Sequence, residues 1–289
     1  MSRKTAEYRQ SKPTTSDRIF SGIAHVILII WVLIVLAPLI WTILSSFKTS
    51  REIFASPFSL PETMQWGNYV RAWNESGIGT SFFNTLIIVF SALFLVMLLG
   101  AMCAYVLARF RFFGSRLIYW ALLAGLTFPI FLAMVPLYSI LDNMGLLSTK
   151  FALIIVYTAF ALPFTVFFLY AFFRTLPNEI QEAAYVDGAG EWTTFFRVML
   201  PMAAPGMASV AIFNFLGLWN QYLIPISINS KQENYVLSQA LGKYLSMTTY
   251  QVDYGGLFAG SVITIIPVLV TYVVFQRQLQ GSVSKSTMK

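Results

Sequence analysis

Four of the chain's 12 acidic residues fall within one short stretch, residues 174–200: Glu179, Glu182, Asp187 and Glu191. Closely set carboxylates can run general acid–base chemistry, but these flank small side chains rather than a second catalytic group. Glu182 precedes Ala183 and Ala184, and Asp187 opens the run Asp187-Gly188-Ala189-Gly190. Asn178 with Gln181 three residues on, after Pro177, has the pattern of a helix capping box. The glycines predict that this helix stops near Asp187. A second helix begins near Glu191, where Trp192, Phe195, Phe196 and Met199 recur at helical spacing as one apolar stripe. A helix lying on a lipid surface would explain that stripe. It leaves the alanine pair unexplained, because Ala183 and Ala184 are too small to anchor in lipid yet let a helix enter a protein cleft closely. The chemistry indicated is docking.

Other reactive residue types are sparse. No GxxxxGK[ST] loop is present, so ATP hydrolysis is not expected of this chain. The one histidine, His25, lacks Cys, Asp or Glu companions with which to build a metal site. The one cysteine, Cys103, has no partner for an intrachain disulfide and reads as a packing residue. No catalytic residue, metal or cofactor is predicted. Asn214, Trp219, Asn220, Gln221 and Tyr222 combine amides with aromatic faces, a set suited to sugar hydroxyls and rings. The same set suits helix–helix hydrogen bonds and an interfacial aromatic belt.

Membrane helices must hold these groups. Of 289 residues, 57% are hydrophobic and only 11% charged, against roughly 25% charged in soluble domains. Charge-free windows run over Ile19–Phe47, Ser76–Ala108, Leu117–Leu141, Phe151–Phe173, Val198–Ser230 and Tyr254–Gln276. Each is long enough to cross the roughly 30 Å of a bilayer core. The predicted fold class is therefore all-α: an integral membrane protein with six transmembrane helices near 20–46, 82–108, 117–141, 151–173, 202–223 and 256–276. Pro38, Pro129, Pro136, Pro163 and Pro267 fall inside spans, where neighbours can satisfy the freed carbonyls. Gly256 and Gly260 form a GxxxG that permits close packing. The first apolar stretch exceeds a signal-peptide core and is read as a retained helix.

Orientation follows from the basic residues, since loops rich in Lys and Arg stay inside. An inside-first arrangement puts 13 of the 19 on the cytoplasmic side, among them Arg109, Arg111, Arg116, Arg174 and Arg197. It puts both termini there too, and the net charge of +7 is then a topology signal rather than a nucleic-acid surface. The divisions expected are a cytoplasmic tail 1–18, a first span with external segment 19–81, a core 82–276 and a second cytoplasmic tail 277–289. Trp66, Tyr69 and Trp73 suit a membrane interface, and 224–253 reads as an external loop. The span interiors carry no Asp, Glu, Lys or Arg. Such residues serve proton- and sodium-coupled carriers and intramembrane hydrolases, so their absence favours an external energy source.

The run Glu182-Ala183-Ala184-Tyr185-Val186-Asp187-Gly188-Ala189, with Phe195 and then Leu200-Pro201 about eleven residues on, resembles the EAA motif of ABC importer permeases. Its place between the fourth and fifth of six spans matches as well. Phe83-Asn84-Thr85-Leu86 and Ala104-Tyr105-Val106-Leu107-Ala108-Arg109-Phe110 bracket the second span as in the carbohydrate branch. Trp219-Asn220-Gln221-Tyr222-Leu223 and Ile265-Ile266-Pro267 also fit. The likeness covers almost the whole chain and is nearest to the second permease of maltose-type importers.

That resemblance implies a type I ABC importer permease (MetI-like) core in a bacterial inner membrane. Residues 178–190 would be a coupling helix seated in a cytoplasmic ATPase through Glu182, Ala183, Ala184, Asp187, Gly188 and Ala189. ATP and Mg would be bound by two partner ATPase subunits. A second permease, identical or homologous, and an extracytoplasmic solute-binding protein complete the expected assembly. Asn229, Lys231, Gln232 and Glu233 are the candidate binding-protein contacts. Asn214, Trp219, Asn220 and Tyr222 are the candidate substrate-pathway residues, although in the maltose-type system bound sugar touches mainly the other permease. A sugar or oligosaccharide is the implied cargo; a polyol, a glycerol phosphate, an amino acid, or a non-transporting scaffold stay open. Relatives often end in a Gly-x-x-Lys-Gly-like tail reaching between the ATPases, whereas here Gly281-Ser282-Val283-Ser284-Lys285 is followed by Ser286.

Overall fold

The computed structural model describes residues 15–251 and 253–284, and among these the regular structure is all helical. The chain runs through α1 (Thr15–Ser45), α2 (Ser50–Ala55), α3 (Gly67–Asn74), α4 (Ile78–Arg109), α5 (Ser115–Thr127), α6 (Ile130–Asn143), α7 (Lys150–Thr175) and α8 (Asn178–Val186). Then α9 (Glu191–Thr193) continues through a π turn (Thr194–Met199) into α10 (Leu200–Met202). Next come α11 (Ala204–Trp219), α12 (Leu223–Ile228), a 3₁₀ turn (Gln232–Asn234), α13 (Leu237–Gln251) and α14 (Tyr254–Ser284). Four of these are single helices long and apolar enough to cross a membrane: α1 from Phe20, α4, α7, and α14 to Gln276. Two bent pairs, α5 with α6 at 106° and Glu191–Met202 with α11 at 75°, are also long and apolar enough when each is taken as one broken span. Counting each pair once gives six.

Several expected boundaries move. The third span is not one helix over 117–141, because Phe128 and Pro129 both adopt extended ψ angles of about 120°. A residue before proline is pushed out of the α region, and Pro129 also lacks the N–H that would continue the ladder. Pro38, Pro136, Pro163 and Pro267 stay inside their helices. The helix α1 begins at Thr15, ahead of its apolar stretch from Phe20. The segment 224–253 is not an open loop: α12 and α13 fill most of it. The fifth span stops at Trp219, short of 223.

α4 and α7 form the centre of the bundle. α4 buries several small residues (Ala92, Gly100, Ala101, Ala104), and Gly100 lies directly against Thr165 of α7. Lipid is as apolar as leucine, so helices associate by close contact and interhelical hydrogen bonds. α11 joins them through Asn214, whose Nδ2 donates to Thr165 Oγ1 at 2.7 Å. α1, by contrast, is exposed along nearly its whole apolar length. Its Trp41 meets Phe258 of α14 edge to face at 5.0 Å between centroids. The expected close packing at Gly256 and Gly260 is present: a Cβ on them would collide with Tyr244 and Ile78 respectively.

On the side opposite α8, polar groups lock the helix ends. Lys48 is fully buried, and its Nζ donates to Ser56 O (3.0 Å), Pro57 O (3.2 Å) and Ser59 Oγ (3.3 Å). Asn68 of α3 donates to Ser46 O and Lys48 O. Arg71 pairs with Asp253 just before α14 at 3.0 Å, and Tyr244 donates to the same carboxylate at 2.6 Å. Burial pushes the Asp253 carboxyl up, but Arg71, Tyr244 and the Gly256 amide together hold it below its ordinary value. A depressed carboxyl stabilises the fold above the unfolded value and loses that contribution as pH falls through the folded one. The latch is therefore expected to hold at pH 5 and above and to weaken below about 4. Asp253→Asn should remove that acid-dependent part, below about 1 kcal/mol for a partly exposed pair. Thermal unfolding in detergent at pH 7 and pH 3.5 checks it: an unchanged pH response in Asp253→Asn would contradict the assignment.

Candidate functional site

The predicted docking stretch folds as a helix, a tight stop and a second helix. α8 has no side-chain N-cap. Asn178 is its first residue and accepts from Arg109 Nη1, while Gln181 Nε2 donates to Tyr185 Oη at 2.9 Å. The expected capping box thus does not form, because a nearby guanidinium takes the Asn178 carbonyl. The C-terminal end closes as a Schellman turn: Ala189 N reaches Ala184 O at 2.9 Å and Gly188 N reaches Tyr185 O at 3.0 Å. Gly188 sits at φ +80°, where glycine carries no Cβ penalty.

Glu179, Glu182, Ala183, Val186 and Asp187 are all exposed. They sit at i, i+3, i+4, i+7 and i+8, a single face of the helix. Val186, 87% exposed, is an apolar knob amid three carboxylates. The alanine pair divides: Ala183 faces out, whereas Ala184 is buried against its own chain. Only Ala183 is therefore free to enter a cleft, and Val186, a large apolar side chain between acidic residues, is the signal in the sequence that marks this face. The Trp/Phe stripe also divides. Phe195 and Met199 are buried; Trp192 and Phe196 are exposed and stacked on each other at 5.9 Å. A π turn over Thr194–Met199 shifts the angular register and separates the pairs.

The helix is held from behind. Tyr185 Oη donates to Glu191 Oε2 at 2.7 Å, across the glycine bend. Burial, reinforced by the Glu191 bond and opposed by the one from Gln181, raises the phenol above its ordinary value, so the donor proton stays on at neutral pH. Phe195 packs on Tyr105 of α4 at 5.1 Å, and Tyr105 on Phe173 of α7 at 5.6 Å. Between α8 and the ends of α4 and α7 nearest to it lies a cavity of about 720 Å³ lined by Arg109, Arg111, Arg174, Gln181, Tyr185 and Glu191.

The remaining candidates are scattered. Asn214 and Trp219 are buried, and Trp219 Nε1 donates to Thr264 O of α14 at 3.2 Å, so both tie helices together. Asn220 bonds back to Leu216 O at 2.8 Å, and Tyr222 is 40% exposed. At the other end Asn229 is buried, donating to Asn234 O and to Gln239 Oε1. Its place in the binding-protein set is corrected on that ground: the amide holds the loop from inside. Gln232 and Glu233 are exposed on the 3₁₀ turn, and Lys231 is exposed just before it. Asn84, which had no assigned role, positions that turn through bonds to Glu233 O (2.8 Å) and Tyr235 O (3.0 Å). His25 is exposed on α1, its Nδ1 donating to Ser21 O at 2.6 Å. The tail from residue 285 lies outside the described residues.

A bundle of membrane crossings around a tightly packed helix pair, with an exposed acidic helix between the fourth and fifth, defines a polytopic transport subunit. The sequence model of the family described as binding-protein-dependent transport system inner membrane component matches residues 96–285, and the chain belongs to that family. It is 58% identical over 275 residues to the diacetylchitobiose uptake system permease protein NgcG of Streptomyces coelicolor, covering 95% of this chain and 91% of that one. It is 30% identical to the multiple sugar-binding transport system permease protein MsmG of Streptococcus mutans over 92% of this chain and 96% of the other. Among solved structures, a chain of a bacterial ABC transporter involved in import of the acidic polysaccharide alginate superposes with TM-score 0.78 at 23% identity, over 92% of this chain and 99% of that one. That likeness establishes the fold.

Proposed function

We propose that the chain is one permease half of a sugar-importing ABC transporter, and that α8 is the element through which cytoplasmic ATPase subunits move it. One observation carries this reading: Glu179, Glu182, Ala183, Val186 and Asp187 are exposed on one face of a helix closed by a Schellman turn. An apolar knob ringed by carboxylates suits a groove in a partner with basic edges. ATP and Mg belong to that partner, and this chain contributes no chemistry of its own. A second permease completes the pathway, and Lys231, Gln232 and Glu233 face an extracytoplasmic binding protein. Both termini and α8 lie on the cytoplasmic side by the excess of Lys and Arg there. The cargo is an oligosaccharide of the diacetylchitobiose class, supported by the 58% identity to a permease named for that uptake.

Co-purification and reconstitution test this. Proteoliposomes holding the intact complex and its binding protein should take up diacetylchitobiose only with ATP on the ATPase side, at about tenfold or more over ATP-free vesicles. Equal uptake without ATP, or recovery of the chain without ATPase subunits, would reject the transport reading. Uptake of a different sugar alone would reject the cargo. A cysteine placed at Val186 should react with a membrane-impermeant maleimide only in inside-out vesicles.

A further inference from the structure

We infer that Arg109 is the positioning residue that transmits movement of α8 into the second span; the inference rests on the reading of α8 given above. Arg109 is the last residue of α4. Its Nη2 donates to Leu176 O, the C-cap of α7, at 2.8 Å, and its Nη1 donates to Asn178 Oδ1 at the start of α8. One guanidinium therefore joins the ends of three helices. The rigid planar fork can serve two acceptors at once, which an ammonium on a flexible stem does poorly.

The surroundings make that tie matter. Leu176 and Pro177 are extended, with ψ angles of 142° and 139°. Without a cross-brace, α8 would hang from α7 by a short extended link. Behind α8 lies the cavity of about 720 Å³, lined from both the α4 and the α8 sides. Packed side chains do not fill that space, so displacement of α8 is not passed to α4 by contact there. The far end of the unit is gripped differently: Tyr185 holds Glu191, and Phe195 rests on Tyr105. α4 is thus held by a polar fork near the start of α8, by the Tyr105 hydroxyl that interacts with that of Tyr185, and by ring packing beyond the end of α8. Since α4 packs closely along α7, with Gly100 set against Thr165, a push on the fork would reach the central helix pair.

The test uses the intact importer in proteoliposomes, reading sugar taken up per ATP hydrolysed together with the ATPase recovered in the complex. Arg109→Gln is expected to lower uptake per ATP about tenfold while ATPase recovery stays at the normal level, a coupling effect of ordinary size. Arg109→Lys should retain only part of the coupling. Adding Asn178→Asp to Arg109→Lys, which supplies a charged acceptor for the ammonium, should raise it several-fold. If Arg109→Gln does not fold, this rescue pair decides the matter alone, since a merely structural role predicts no gain in uptake per ATP. Normal uptake per ATP in Arg109→Gln, or absence of rescue, overturns the inference. So does loss of ATPase from the complex, which would make Arg109 a shaper of the docking face. Glu182→Lys run in parallel separates the two claims: if it transports normally, the α8 reading fails, whereas if it is dead and the Arg109 series is silent, only this inference fails.

Discussion

Glu182→Lys, and separately Gly188→Asp, are expected to abolish ATP-driven uptake while the protein stays in the membrane at its normal level. Glu182 lies on the outward face of α8 between Glu179 and Val186, so lysine there reverses a charge without touching the bundle. A like charge pressed against a complementary groove costs several kcal/mol, which corresponds to roughly a hundredfold or greater loss of docking. Gly188→Asp works by another route. A Cβ at this position would meet nothing within 4 Å, but the backbone sits at φ +80°. Aspartate is one of the few non-glycine residues that tolerate this region, so the Schellman turn should survive at a cost of about 1 kcal/mol. What changes is a further carboxylate beside Asp187, at the end of the docking face. The measurements are uptake in proteoliposomes, ATPase recovered with the complex, and the amount of chain in the membrane fraction. Normal transport by either variant would remove α8 from the coupling role. Loss of the chain from the membrane would show that the residue supports folding instead.

The sequence disclosed the membrane crossings and the docking stretch because both are written in local terms. Charge-free windows need no partner to be recognised, and Glu182 through Gly188 are consecutive. Within that stretch, however, the outward face was misread. Which of Ala183 and Ala184 points outward depends on how α8 rolls against Arg109 of α4 and Glu191 beyond the bend, neither of which its own periodicity reveals. The same limit hid the break at Pro129: proline occurs inside α1, α6, α7 and α14 without ending them, so the residue type alone does not decide. It also hid the helices of 224–253, whose mixed polarity comes from Asn229, Gln239 and Ser238 bonding inward to backbone and to each other. Polar side chains read as solvent-facing were satisfying a buried connection. The amides of the fifth span were ambiguous for the same reason, and Asn214 of α11 proved to be a tie between helices.

That tie leads to the largest effect expected on the fold itself. A Cβ built on Gly100 would lie 2.5 Å from Thr165 Cγ2 and 3.1 Å from Thr165 Cβ. Thr165 has nowhere to go: it is fully buried, donates to Ala161 O at 2.8 Å and accepts from Asn214 at 2.7 Å. Gly100→Ala must therefore spread α4 from α7 or turn Thr165 and break the bond to α11. Overpacking of this kind costs about 1–3 kcal/mol, and an interhelical hydrogen bond in a membrane bundle about 0.6 kcal/mol more. For a protein of this size that is a fall in melting temperature of roughly 3–6 °C, and Gly100→Leu should lower the yield of folded protein further. The clash lies with the threonine methyl, whereas the bonds to Ala161 and Asn214 use its hydroxyl. Thr165→Ser removes the first and keeps the second. Gly100→Ala with Thr165→Ser should consequently recover most of the lost stability, giving a coupling of about 1 kcal/mol or more in a double-mutant cycle measured by thermal unfolding in detergent. Thr165→Ala should not, because it leaves the Asn214 amide with only the weak Met97 Sδ acceptor in the middle of a span. Equal recovery by serine and alanine would mean that the close approach of α4 and α7, and not the polar contact across it, is all that holds α11 in place.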